Sequence, residues 1–254
     1  MTKLLITFMS LVLIVPAAVV QADDPDTFQV ETISMKFKPG KNLEDVLSLR
    51  SKFADFANAG DIKFGSRILV PWAVSKAALP DDQDWDALWI GFSPNTGEYS
   101  KALGHYLENG DSFNADFDAV RTNVATTLMG GHVVFRSEAR APEGVGATLF
   151  RTCQLKSKQT LDDAKKAMAS MSEKLKGGGS KGSTYFWIPG PGSPPSMEDS
   201  FLVTRWFPSI EAWGESAMAY QDGDMSKVGA AVDRVMDCSA FRLYLNYPFY
   251  SNNS

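Results

Sequence analysis

The stretch Ser200–Gln221, SFLVTRWFPSIEAWGESAMAYQ, decides the fold. It reads as an apolar strand, a break at Pro208-Ser209, and a short amphipathic helix. Ser209 stands at the N-cap, where its hydroxyl can accept a backbone N–H of the first turn. Glu211 falls in that turn, where the helix dipole favours a negative charge. Ile210, Trp213, Ala217 and Tyr220 follow at three- and four-residue steps, one face of a helix. The same unit occurs earlier, at Ala87–Leu107, ALWIGFSPNTGEYSKALGHYL. There Asn95 takes the cap and Glu98 the third helical position, a capping-box spacing.

The match continues upstream. Asn42-Leu43-Glu44-Asp45 corresponds to Thr160-Leu161-Asp162-Asp163, each opening a helix after a strand. Leu161, Ala164, Met168, Met171 and Leu175 form an unbroken apolar stripe, and Leu43, Val46, Phe53 and Ala57 hold most of the same stripe. The two stretches therefore read as copies, Phe28–Arg140 and Ala147–Tyr250, joined by the Pro- and Gly-bearing linker Glu138–Gly146.

Each copy is expected to run β-α-β-β-α-β with an extra helix before the last strand. In the first copy the expected elements are strand Phe28–Lys38, helix Leu43 to about Ala59, strand Arg67–Val74, strand Leu88–Phe92 and a helix to Leu107. A weakly patterned helix then spans Phe113–Leu128, Gly130-Gly131 breaks it, and His132–Ser137 is a strand. In the second copy Thr148–Lys156 and Thr184–Ile188 flank the Leu161–Leu175 helix, and Phe241–Tyr247 closes the unit. That order gives an α+β fold, a four-stranded antiparallel sheet with helices on one face.

Met1–Ala22 has the pattern of a secretory signal peptide: Lys3, an apolar run from Leu4 to Val15, and Val20-Gln21-Ala22 before a cleavage point. The run is shorter than the roughly 20 residues a membrane span needs. Export to the periplasm or the medium is the expectation, with no membrane span after cleavage. Removing Met1–Ala22 takes away one lysine and no acid, so the net charge goes from −5 to −6. An acidic chain is a poor partner for nucleic acid. Cys153 and Cys238 lie on or beside neighbouring strands of the second copy, and an oxidising compartment makes them a candidate disulfide.

A duplicated βαββαβ unit with Tyr99 or Trp213 at the start of its second helix resembles the dimeric α+β barrel (ferredoxin-like) superfamily. That superfamily includes antibiotic-biosynthesis-type and haem-degrading monooxygenases and related small-ligand binders. The resemblance lies in element order and hydrophobic pattern over nearly the whole mature chain. It implies two ferredoxin-like repeats packed sheet to sheet as one intrachain barrel, and a monomer, since one chain supplies both halves. The haem-degrading branch uses an Asn, a Trp and a His around the haem. Neither first strand here contains an Asn, so no catalytic residue is carried over and no cofactor is firmly implied.

Strand alternation nominates a ligand cavity. Arg242, Tyr244 and Asn246 share one face of the last strand; His132, Val134 and Arg136 share a face of theirs; Thr204 and Trp206 alternate with Val203 and Arg205. His132, Arg136, Trp206, Arg242, Tyr244 and Asn246 are the candidate cavity residues, for a small hydrophobic or aromatic molecule. The same faces equally suit a solvated sheet. Gly178-Gly179-Ser180-Lys181-Gly182 fits G-x-S-x-G by letters, but a helix precedes it and a strand follows, the reverse of a nucleophile elbow. It reads as a flexible loop. His105 and His132 each suit a haem ligand or general base, or a plain hydrogen-bonding role. Two His and two Cys at wide separation make no metal cluster. Three functions remain open: a small-molecule binder, a cofactor-independent or haem-dependent monooxygenase-like enzyme, and a non-catalytic envelope interaction module.

Overall fold

The computed structural model describes residues 26–74, 84–139, 144–222 and 226–252; the expected signal peptide, Met1–Ala22, lies outside them. The first half contains β1 (Thr27–Phe37), α1 (Leu43–Leu47), α2 (Arg50–Ala59), β2 (Gly65–Ala73), β3 (Ala87–Ser93), α3 (Thr96–Asn109), α4 (Asp111–Val120) and β4 (Arg121–Phe135). The second contains β5 (Gly146–Leu155), α5 (Leu161–Gly177), β6 (Ser183–Pro189), β7 (Phe201–Phe207), α6 (Ile210–Asp222), α7 (Ser226–Asp233), β8 (Met236–Cys238) and β9 (Arg242–Ser251).

The helices start where their caps dictate. The Asn42 side chain accepts from the Glu44 N–H while Asp45 accepts from the Asn42 N–H, and Thr160 with Asp163 repeats the arrangement at α5. Asn95 Oδ1 accepts from Glu98 N at 2.9 Å, and Ser209 Oγ from Ala212 N at 3.1 Å. Each bond satisfies an amide that the first helical turn would otherwise leave bare.

All strand pairs are antiparallel. The ladder runs β7-β6-β4-β1-β3-β2-β9-β5, and β5 pairs back onto β7, closing an eight-stranded barrel. β8 is a short addition on β5. The first half is ordered β4-β1-β3-β2 and the second β9-β5-β7-β6. Closure leaves none of these eight strands with an unpaired edge. Residues with even numbers on β1, such as Val30, point into the barrel; odd ones, such as Ile33 before the bulge at Ser34/Met35, meet the helices. The interior core and the helix-covered outer cores are thus separate layers.

Two expected elements differ. The helix expected from Leu43 to Ala59 is two helices, because Ser48 Oγ donates back to the Asp45 carbonyl at 2.7 Å and the chain bends at Ser48-Leu49. The helix expected over Phe113–Leu128 ends at Val120, and Arg121 is already extended (φ −142°, ψ 165°). Its apolar face, Phe113, Phe117 and Val120, runs out there. The β-branched run Thr122, Val124, Thr126, Thr127 then favours a strand, which pairs along the length of β1. Gly130-Gly131 lies inside this strand rather than breaking it. A Cβ on Gly131 would stand 2.4 Å from the Phe28 ring, so the glycine admits its cross-strand aromatic partner.

Candidate functional site

The barrel interior is a packed aromatic core. Trp187 meets Phe150 edge-on at 5.2 Å between centroids, Phe92 meets Trp206 at 5.4 Å, and Tyr244 lies parallel to Trp85 at 6.3 Å. Trp206, Tyr244 and Asn246 do point inward together. Asn246, fully buried, accepts from Arg67 Nη1 at 3.1 Å and donates to Thr148 Oγ1 at 3.0 Å. Trp206 donates to Thr204 Oγ1 at 3.2 Å. Arg242 faces the same side opposite Phe150 and donates to Thr152 Oγ1 at 3.2 Å. Arg67, Asn246 and Thr148, and Trp206 with Thr204, satisfy one another, as buried polar groups do.

His132 and Arg136 do not join them. His132 is paired opposite Phe186, on the helix-facing side, and its Nδ1 stands 3.1 Å from Lys165 Nζ on α5. Val134 packs in the same outer layer. Arg136 is exposed beyond the end of β4. The cause is the choice of face: His132 and Val134 do share one side of β4, as alternation has it, but that side meets the helices, and alternation alone does not say which side of a strand turns inward.

Two cavities among the described residues lie outside the barrel, between sheet and helices. The first, about 300 Å³, is walled by Phe53, Phe56, Phe64, Trp89 and Phe113 and carries Glu31, Tyr99, Tyr106, Asn114 and Arg121. Gly91 makes room for it: a Cβ there would stand 2.4 Å from the Phe64 ring and 3.4 Å from Glu31 Oε2. Tyr99 donates to Glu31 Oε1 at 2.9 Å, and Tyr106 donates to Asn114 Oδ1. Burial pushes the Glu31 carboxyl above its ordinary value, against the pull of the Tyr99 hydrogen bond and the Arg121 charge. Burial holds Arg121 below its own, and its guanidinium sits 4.7 Å over the Phe117 ring. Trp89 Nε1 and Arg121 Nε and Nη1 are buried donors with no acceptor among the described residues.

The second cavity, about 350 Å³, lies against the outer faces of β5 and β7 under α5, α6 and α7, and carries Arg151 and Arg205. The Gly178–Gly182 segment, expected as a plain loop, serves it. Ser180 is buried, donates to Ser216 Oγ at 2.8 Å and accepts from Arg205 Nη2 at 3.3 Å. No histidine stands with Ser180, so the segment has no triad chemistry. Cys153 and Cys238 face each other across β5 and β8 and are joined as a disulfide beside this half's outer core.

Neither cavity is lined by a histidine or cysteine. His105 Nε2 meets the Phe56 carbonyl at 3.0 Å and Nδ1 meets Asn109 Nδ2 at 3.2 Å, so both ring nitrogens are engaged. Neither of these cavities offers a histidine or thiolate ligand to a haem. No group of three or more metal-ligating side chains occurs among the described residues, and no described helix is long and apolar enough to cross a membrane.

The sequence matches no protein-family model and no curated protein. Among solved structures, a monooxygenase-like protein from Fusobacterium nucleatum superposes with a TM-score of 0.51 at 10% identity, over 90% of this chain and 94% of that one. A chlorite dismutase-like protein gives 0.49 at 11% identity, over 88% and 95%. An anthrone oxidase-like protein gives 0.49 at 12% identity, over 90% and 93%. The first likeness shows a shared fold: a mixed α+β chain with a closed antiparallel barrel and helices outside. At such identity it shows the fold alone.

Proposed function

We propose that this chain is an exported small-molecule-binding barrel protein whose first cavity takes a small aromatic molecule bearing an acceptor oxygen. The observation that carries this reading is the set of orphaned donors, Trp89 Nε1 and Arg121 Nη1, among rings that line one half-open cavity. Buried donors left without acceptors are costly, and an apolar pocket with a few convergent polar groups is the usual form of a ligand site. The equal strand order of the halves supports reading Phe28–Arg140 and Ala147–Tyr250 as two ferredoxin-like repeats. Barrel closure within one chain supports a monomer. Cleavage after Ala22, tested by N-terminal sequencing of exported protein, belongs to the same reading.

Titration with 1-tetralone, an aryl ketone, and with tetralin, which lacks the oxygen, tests the site. Tetralone is expected to quench tryptophan fluorescence and raise the melting temperature, with the response weakened in Trp89→Phe. Equal responses to both compounds, or to wild type and Trp89→Phe, would count against it. Haemin addition is expected to give no ligated Soret band.

A second reading, a cofactor-independent monooxygenase-like enzyme, is favoured by Glu31. A buried carboxyl whose hold on its proton burial strengthens, beside a phenol, is the kind of group that moves a proton on a bound hydroxyaromatic. Oxygen consumption with 1,8-dihydroxynaphthalene that is abolished by Glu31→Gln would select the enzyme; consumption equal to the protein-free blank would reject it.

A further inference from the structure

Arg205 sits on β7 between Val203 and Phe207, on the face that packs against the helices, and is 6% exposed. Arg151 projects from the same face of β5. Arg205 is paired opposite Leu149 and Arg151 opposite Val203, so the two are diagonal cross-strand neighbours, roughly 7–8 Å apart in such a ladder. Two guanidiniums side by side in an apolar layer repel each other and have both lost water.

The chain gives them little in return. Arg205 Nη2 donates to Ser180 Oγ at 3.3 Å and to Ser216 Oγ at 3.4 Å, both neutral, and its plane lies 5.2 Å from the Phe207 ring. Arg151 Nη2 reaches only the Met168 sulfur, at 3.7 Å, and stacks 4.7 Å over Phe241. Nε of each is buried without an acceptor among the described residues. Every ion pair among those residues belongs to a lysine. Among the described residues, Asp233, exposed at the rim, is the carboxylate whose field supports Arg151. Burial holds Arg205 down at about 10, so it is still a cation at neutral pH.

Buried charges in folded proteins are paired or bind a ligand. Here both guanidiniums line one cavity of about 350 Å³ whose other walls include Leu149, Met171, Phe207, Trp213 and Phe241. Guanidinium donors match a carboxylate in charge and geometry. We propose that this second cavity binds a small organic carboxylate with an apolar body, the carboxylate received by Arg205 and Arg151 and the body seated against Trp213 and Phe207. The site is separate from the first cavity, which is lined by residues of the other half of the chain.

The test uses the mature chain with 1-naphthoate and its uncharged counterpart 1-naphthamide, read by melting temperature and by tryptophan fluorescence. Naphthoate is expected to bind at least roughly tenfold more tightly than the amide, the scale of one charge-assisted hydrogen bond. Arg205→Met and Arg151→Met should each weaken naphthoate by a similar factor without lowering the ligand-free melting temperature, because an apolar chain replaces an unpaired buried charge. Two independent variants guard against a folding failure of one. Equal binding of acid and amide overturns the proposal. So does naphthoate binding that persists in both variants, or no response to naphthoate, decanoate or 3-phenylpropionate at millimolar concentration.

Discussion

The Tyr99 hydroxyl donates a 2.9 Å hydrogen bond to Glu31 Oε1, tying α3 to β1 across the first cavity. Burial dominates the Glu31 environment and raises its carboxyl above the ordinary 4.5. The folded state therefore holds this proton more tightly than the unfolded state, and stability falls as pH rises from about 4.5 through the raised value. Glu31→Gln keeps an oxygen for Tyr99 to bond and removes the charge. It is expected to raise the melting temperature at pH 8 by roughly 2–4 °C, the shift that about 1 kcal/mol produces in a chain of this size. It should change it little at pH 4. Parallel wild-type and Glu31→Gln melting curves across pH 4–8 would contradict this.

Gly91 and Phe64 form a second dependence at the same place. The Cβ of Gly91→Ala would stand 2.4 Å from the end of the Phe64 ring, and that ring is held by Phe53 at 6.0 Å between centroids. Overpacking of this kind costs about 1–3 kcal/mol. Phe64→Leu in the same chain should return part of the loss, a coupling that a double-mutant cycle by urea denaturation would measure. Strict additivity of the two substitutions would show that the ring is not the obstacle.

Most of the order of strands and helices was legible because its signals are local, whereas the closed barrel was implied by the resemblance alone. Asn42, Asn95, Thr160 and Ser209 mark helix starts, and the strand alternations of Phe201–Phe207 and Arg242–Tyr247 place Trp206, Tyr244 and Asn246 on one face. The cavities were not, because the inward face was taken as the ligand face. Polar residues there are few enough to satisfy one another, as Arg67, Asn246 and Thr148 do. The informative pattern was the opposite one. Arg205 between Val203 and Phe207, Arg151 between Leu149 and Cys153, and Glu31 before Ile33 are charges at positions where alternation calls for an apolar side chain. His132 was misplaced for a different reason: it shares a face with Val134 as alternation has it, but alternation does not say which face of a strand turns into the barrel.

The Cys153–Cys238 disulfide pins β8 to β5, across a sequence separation of 85 residues. Closing a loop of that length removes denatured-state entropy worth on the order of 4 kcal/mol. Cys153→Ala/Cys238→Ala is expected to unfold at a lower urea concentration by up to that amount. The same should follow treatment of the wild type with reductant, which should have no effect on the double variant. A wild-type midpoint unchanged by full reduction would remove the bond from the list of stabilising features.

The barrel closes through two seams between halves, β4 with β6 and β2 with β9. Separating the halves would bare both seams and the interior face, including Phe150, Trp187 and Tyr244, all at most 4% exposed in the whole chain. Unpaired edges and an apolar patch of that kind drive association. Residues 147–252 expressed alone are therefore expected to dimerise, by pairing β6 and β9 with the corresponding edges of a second copy, or to aggregate. The full mature chain should stay monomeric, since it offers none of its eight barrel strands as an open edge. Light scattering coupled to size-exclusion chromatography decides between these states. A monomeric, cooperatively folding isolated half would mean that the interior core does not hold the halves together, and an obligate dimer of the full chain would place strands of two chains in each barrel.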